Sequence, residues 1–337
     1  MPRRRLSERQ IERIGKIQER RRQRLDKRAQ LTQMEDDEAP AREGLVVVRH
    51  GANLAVEDAG EKVFHCLARQ NIGHPVCGDH VVWQVTGSNQ GVVTAIMERR
   101  AVLSRPDFSG RDKPLAANLS RLVILLAPKP EPSEYLVDQY LVAAELMGVS
   151  AMIAFNKVDL LDANALASFR ARFGRYGEIG YPTIWISLKA DQDLAPLSQY
   201  LAGETSILVG QSGVGKSSLV KALLPDQEIQ IGRLSKATGL GRHTTSAATC
   251  YRLPGGGRLI DSPGVRSFRL GAIGPPELER GFRELAPFLG HCQFADCHHE
   301  REPGCAVKRA VTNGQVHPER LANFRHLAAK LQRSAKF

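Results

Sequence analysis

The sequence predicts a multidomain fold: a small OB-like β-barrel, a circularly permuted α/β domain built on a phosphate-binding loop, and a small α-helical C-terminal domain. Three observations predict it. Short β-rich segments separated by glycine fill residues 44–104. A complete phosphate-loop motif at 210–217 follows, rather than precedes, an Asn-Lys-x-Asp element at 156–159. Three cysteines and a histidine then fall within 14 residues, from Cys292 to Cys305. The expected divisions are a basic arm at 1–40, the barrel at 44–104, the permuted domain at 115–272 and the C-terminal domain at 275–337.

The chain begins with charge. Residues 1–28 hold twelve Lys or Arg against four Asp or Glu, within a net charge of +11 for the whole 337-residue chain. Arg3, Arg4, Arg5, Arg20, Arg21 and Arg22 head this arm, and an acidic run from Glu35 to Glu38 closes it before Pro40. Such composition predicts a solvated tail, disordered or partly helical, that meets a phosphate backbone. A helix with a charged solvent face is the alternative. The charged N-terminus lacks the apolar segment of a signal peptide, and no apolar run approaches the roughly 18 residues that cross a membrane. A cytoplasmic, reducing setting and no membrane partner are therefore expected.

Residues 44–51, 62–67, 79–85 and 91–96 amount to four or five strands. Their count and length fit a small barrel of the oligonucleotide-binding kind. A linker through Pro106 and Pro114 leads to 121–127, read as the first strand of the α/β domain.

In that domain, the apolar run 206–209 suits a buried strand, and 217–224 has helical apolar spacing. The Gly-rich turn between them sits where the motif requires it. Backbone N–H groups of such a turn close around phosphate oxygens at a helix N-terminus, where the dipole is also favourable. Gly210, Ser212, Gly213, Val214, Gly215, Lys216, Ser217 and Ser218 are the expected contacts. Lys216 would reach the β- and γ-phosphates, and the Ser217 hydroxyl would hold Mg²⁺.

Base choice is read at the other end. The strand-like run 150–155 delivers Asn156, Lys157 and Asp159 to the carboxyl edge where open α/β sheets place ligands. An Asp159 carboxylate can accept from both N1–H and the exocyclic amine of guanine, and adenine offers neither donor there. GTP over ATP follows. A second run, 181–186, ends in Ser187, Leu188 and Lys189, which resemble the loop that packs beside guanine in GTPases. An element that comes before the loop it normally follows means the domain order is rotated.

The γ-phosphate side is read from two further segments. Residues 259–264 are a strand ending in Asp261, placed for the Mg²⁺ shell, and then Gly264, whose N–H can meet the γ-phosphate. Between the loop and that strand, residues 239–245 carry His243, Thr244 and Thr245, either threonine being able to supply a Mg²⁺ hydroxyl. Val265 stands where Ras-like enzymes place the water-orienting Gln, and an aliphatic side chain cannot do that job. His243 is the nearest polar candidate, with a partner-supplied group as its rival.

Cys292, Cys297, His299 and Cys305 make a full tetrahedral set for structural zinc, one ion per chain. His291 and His298 are competing imidazoles, and a disulfide pair or buried thiols are the other readings. Cys66, Cys77 and Cys250 stand apart and are read as small buried side chains. From Pro318 to Leu331 the spacing is helical, with Leu321, Phe324, Leu327 and Leu331 on one side and Arg320, Arg325 and Lys330 elsewhere.

Taken together, Cys77-Gly78-Asp79, the rotated order, Gly241 to Thr245, Asp261 to Phe268 and the Cys-x4-Cys-x-His-x5-Cys cluster resemble the bacterial ribosome small-subunit-dependent GTPase A family. The resemblance spans about residue 44 to the C-terminus and matches the arm poorly. It implies a fold of an OB-like barrel, a circularly permuted P-loop GTPase domain and a zinc-binding helical domain. It implies a monomeric GTP hydrolase that acts late in maturation of the small (30S) ribosomal subunit, is stimulated by that subunit and leaves after hydrolysis. The barrel and zinc domain would contact rRNA, and His243 would take the catalytic place of the missing Gln. A nucleic-acid-binding GTP switch with negligible turnover remains the alternative. A metabolic enzyme is disfavoured because no nucleophile triad, paired carboxylates or cofactor fingerprint supplies a second substrate site.

Overall fold

The computed structural model of the chain describes residues 40–107, 111–189, 194–226, 228, 230, 248–262, 270–271 and 273–334. The basic arm before residue 40 lies outside the described residues, as do His243, Thr244, Thr245, Gly264 and Val265.

Five strands close the barrel: β1 (Arg42–His50), β2 (Asn53–Glu57), β3 (Val63–Ala68), β4 (His80–Gly87) and β5 (Gln90–Ile96). β1 pairs with both β2 and β4, β4 pairs with β5, and β3 runs parallel to β5, so no strand edge is left open. Alternate side chains fill the interior, chiefly Val46, Leu54, Val56, Phe64, Cys66, Val81, Trp83 and Val93. The Trp83 ring lies against the backbone of Gly91, where a Cβ would come within 2.6 Å of it. The segments legible in the sequence do not separate β2, which follows β1 after a two-residue turn.

A hairpin of β6 (Val102–Pro106) and β7 (Asp112–Ala117) leads into the α/β domain. Its strands are β8 (Arg121–Leu126), β9 (Ser150–Phe155), β10 (Thr183–Trp185), β11 (Thr205–Val209), β12 (Ala248–Arg252) and β13 (Arg258–Asp261). They lie in the order β10-β9-β8-β11-β13-β12, all parallel except β12. Their apolar runs, without alternation, suit strands covered on both faces, and that is how these are packed. Leu122, Ile124, Ile153, Phe155 and Ile207 face helices α1 (Glu134–Met147) and α2 (Ala163–Glu178). Val123, Leu125, Met152, Ala154 and Leu208 face α3 (Ala195–Leu201) and α4 (Lys216–Leu223).

The two sheets are continuous. β1 of the barrel pairs antiparallel with β12, Val48 opposite Thr249 and Arg49 opposite Ala248. The buried Cys77 thiol donates to the Ala248 carbonyl at 3.2 Å across the same seam.

The C-terminal domain packs α5 (Pro275–Arg280), α6 (Ala306–Thr312) and α7 (Pro318–Ser334) around Leu278, Phe282, Leu285, Val307, Leu321, Phe324 and Leu327. The apolar side of α7 is the one the spacing predicts. Arg320, off that side, is nonetheless 0% exposed, because it reaches across to Asp138 of α1, also 0% exposed. Among the described residues no helix is long and apolar enough to cross a membrane.

Candidate functional site

The site is built where β11 ends. Gly210 has φ 134°, and a Cβ there would stand 2.2 Å from the Leu125 carbonyl, so only glycine lets the loop leave β11 over β8. The loop runs into α4, with Ser217 and Ser218 exposed at that helix's first turn. Lys216 turns its ammonium back along the loop, donating to the carbonyls of Gly210 at 2.7 Å and Gln211 at 2.5 Å.

The rotated order is reconciled in space. Asn156, at the end of β9, donates its side-chain amide to Val214 O at 2.9 Å, and Lys157 donates to Gly213 O at 2.6 Å. Two side chains of the upstream element thus staple it to a loop more than fifty residues downstream. Gly215 completes the fit, since a Cβ there would come within 2.4 Å of Asn156 Nδ2. Asn156 is 2% exposed, and its Oδ1 is buried without a hydrogen-bond partner among the described residues. An acceptor of this sort, at the cleft floor, suits a ligand donor.

Asp159 accepts a 2.5 Å hydrogen bond from the Ser187 hydroxyl, which in turn accepts from the Lys189 N–H at 3.3 Å. This joins the two loops after β9 and β10 and leaves Asp159 exposed at the mouth. Asp261 ends β13 immediately after Ile260, which pairs with Ile207 of β11, so it stands at the same end of the sheet as the loop. The structure therefore brings Asn156, Lys157, Asp159, Ser187, Lys189, residues 210–218 and Asp261 to one edge of one sheet.

A second site lies in the C-terminal domain. The donor atoms of Cys292, Cys297, His299 and Cys305 all lie within 4.8 Å of one another. His299 Nδ1 is 3.6, 3.5 and 3.4 Å from the sulfurs of Cys292, Cys297 and Cys305, and the Cys292 and Cys305 sulfurs are 3.9 Å apart. A tetrahedron with bonds of about 2.0 Å to nitrogen and about 2.3 Å to sulfur has edges of about 3.5 and 3.8 Å. The cluster could therefore hold one metal ion with all four positions taken. Burial and the neighbouring Cys305 and Cys292 thiols push the Cys297 thiol up, against the His299 N–H that lowers it.

Sequence reasoning missed the support around this cluster. His299 Nε2 lies 3.3 Å from a carboxylate oxygen of Glu279, on α5, which orients the ring so that Nδ1 faces the sulfurs. Arg325 holds the His299 carbonyl, and the Lys308 N–H donates to the Cys305 sulfur at 3.4 Å. No local motif marks Glu279, twenty residues upstream of its histidine. His291 and His298, the competing imidazoles, are both exposed and outside the cluster.

A parallel sheet whose phosphate loop is stapled to a guanine-type element from earlier in the chain, with a closed barrel ahead of it, defines a circularly permuted P-loop GTPase. Residues 96–271 match the RsgA GTPase family. Full-length relatives agree: "Small ribosomal subunit biogenesis GTPase RsgA" of Azotobacter vinelandii is 44% identical over 338 residues, covering 98% of each chain. The protein of the same name from Pseudomonas aeruginosa PAO1 is 44% identical, again over 98% of each chain. Among solved structures, YjeQ from Thermotoga maritima superposes with a TM-score of 0.70 at 31% identity, covering 87% of this chain and 99% of that one. YloQ, a circularly permuted GTPase, gives a TM-score of 0.67 at 28% identity, covering 88% of this chain and 96% of that one. The chain belongs to the RsgA GTPase family, and its fold is the OB-like barrel, permuted GTPase domain and helical C-terminal domain expected of it.

Proposed function

We propose that this GTPase acts in late maturation of the small ribosomal subunit in the cytoplasm, as a monomer that binds the subunit's rRNA, is stimulated by it and leaves after cleaving the GTP β–γ anhydride. The single observation that carries the chemistry is the staple from Asn156 and Lys157 to Val214 and Gly213, which assembles one guanine-nucleotide cleft from the rotated motifs. The subunit reading rests on relatives that carry that name over 98% of their length. The barrel read at 44–104 and the helical domain read at 275–337 flank the GTPase domain at 115–272 as its RNA-binding modules, and the basic arm adds sequence-independent attraction to phosphate.

Within the cleft, Asp159 reads the guanine, Lys216 and the loop N–H groups hold the phosphates, and Ser217 and Asp261 offer hard oxygen ligands that suit Mg²⁺. Gly264 and one of Thr244 and Thr245 complete the γ-phosphate side. A bound Mg²⁺ supplies charge neutralisation of the phosphates. The Cys₃His cluster takes zinc, with a structural role because no ligand position stays open.

Asp159→Asn is expected to cut GTP affinity and raise that for the xanthine nucleotide, because an amide can donate to the carbonyl that replaces the guanine amine. A direct binding titration with an unchanged preference would remove Asp159 from base recognition.

The reaction itself is tested at His243. Its imidazole stands in for the Gln that Val265 replaces, so the free enzyme is slow and the subunit-bound enzyme depends on the ring. His243→Ala is expected to keep nucleotide and subunit binding but lose roughly 10²-fold or more of the stimulated rate, measured as single-turnover hydrolysis with and without small subunits. Stimulation equal to wild type would move the catalytic group to rRNA or another residue. No stimulation of the wild type would favour a binding switch with negligible turnover.

A further inference from the structure

The hairpin of β12 and β13 separates the barrel from the phosphate loop, and the barrel grips it at both ends. At the outer end, Glu57 of β2 accepts from Arg252 through Nη2 at 2.9 Å and Nε at 3.2 Å, a two-pronged contact. Arg258, the first residue of β13, donates to the same Glu57 oxygen, and Glu61 takes the third nitrogen of Arg252. Burial works against the Glu57 charge, but the hydrogen bonds from Arg252 and Arg258 outweigh it and hold the carboxyl below the usual carboxylate range.

The backbone at the same point is also held. The Gln230 side chain accepts from the Arg252 N–H at 3.0 Å and donates to the Arg252 carbonyl at 3.1 Å, acting as a short added strand. At the inner end, Val48 of β1 faces Thr249, and Thr249 faces Asp261. One cross-strand row therefore runs from the barrel to the carboxylate at the phosphate edge. The four residues of β13, from Arg258 to Asp261, are too short and too fully paired to absorb a shift at one end without moving the other.

We infer that Glu57 is a positioning residue for the metal side of the nucleotide site: by clamping Arg252 and Arg258, the barrel sets where Asp261 stands beside the phosphate loop. The inference rests on the proposed role of Asp261 toward nucleotide-bound Mg²⁺. It assigns to the barrel a part in building the GTPase site, separate from any contact with nucleic acid. The guanine side, carried by β9 and β10 at the far end of the sheet, is out of its reach.

The test measures the affinity of the full-length protein for a non-hydrolysable GTP analogue in Mg²⁺ and again in EDTA, and takes the ratio. Glu57→Gln preserves size and one acceptor but removes the charge. It is expected to lower the ratio about fivefold or more, the usual scale of coupling between sites, while EDTA affinity stays within about twofold. A wild-type ratio would overturn the inference. So would a parallel fall of both affinities, the mark of a merely structural residue. If Glu57→Gln does not fold, Arg252→Met, at a half-exposed position, should shift the ratio the same way by less, and a wild-type ratio there would count equally against the clamp. Asp261→Asn separates the two readings. Loss of Mg²⁺ dependence there with none in Glu57→Gln overturns the clamp alone, whereas no change in Asp261→Asn overturns the underlying role of Asp261.

Discussion

Withdrawal of zinc from the Cys292, Cys297, His299 and Cys305 cluster is expected to unfold the C-terminal domain while the nucleotide domain keeps its fold. Cys305 and His299 are buried, and Cys292 and Cys297 pack on the domain's core of Phe282, Phe324 and their neighbours, so the ligands are part of that core. A domain of this size buries too little apolar surface to stand easily alone. Structural zinc contributes roughly 10–16 kcal/mol of apparent binding free energy at neutral pH, which is folding free energy when the site forms only in the folded state. Ser in place of Cys297 should act like chelation, because one weak ligand opens the shell. Elemental analysis of protein purified without added metal should give about one zinc per chain, and proteolysis after chelation should release the region from about residue 275 onward. Metal-free protein with a Cys–Cys crosslink would refute this. Because binding displaces thiol protons, affinity should fall as pH is lowered.

Arg320→Ala is expected to cost about 3–5 kcal/mol of stability, read as a lowered urea midpoint at unchanged slope. The guanidinium donates to Asp138 through Nη1 and to Glu284 through Nε at 2.5 Å and Nη2 at 3.0 Å. Asp138 also accepts from Tyr176 at 2.9 Å and Asn323 at 2.7 Å. Burial pushes the Asp138 carboxyl up, the Arg320 charge being the main influence that opposes it. Removing Arg320 therefore strands a carboxylate in a seam that water does not reach. The same seam joins α1 of the GTPase domain to α7, so the loss should also loosen the docking of the two domains. Pairing Arg320→Met with Asp138→Leu should recover part of the loss, since the Asp138 charge is no longer stranded, while Glu284 still loses its partner and limits the recovery. A cost under about 1 kcal/mol for Arg320→Ala would mean that water enters the seam.

What the sequence determined by itself was local or repeated within a short window. The phosphate loop announces itself because backbone N–H groups, a lysine and a hydroxyl must lie within eight consecutive residues. The Cys₃His cluster is similarly confined to 14 residues, from Cys292 to Cys305. The strands of the parallel sheet show as apolar runs because both faces are covered, and the reversed order of two motifs was enough to imply permutation. Tertiary structure decided what joins distant segments. β2 was hidden because only a two-residue turn separates it from β1. Glu279 and Arg320 carry no motif, since a carboxylate behind a histidine and an arginine across a domain seam are chosen by distance in space. The barrel's hold on Asp261 through Glu57 is of the same kind: residues almost 200 positions apart in sequence meet because β1 pairs with β12, and pairing across strands leaves no trace in either strand alone.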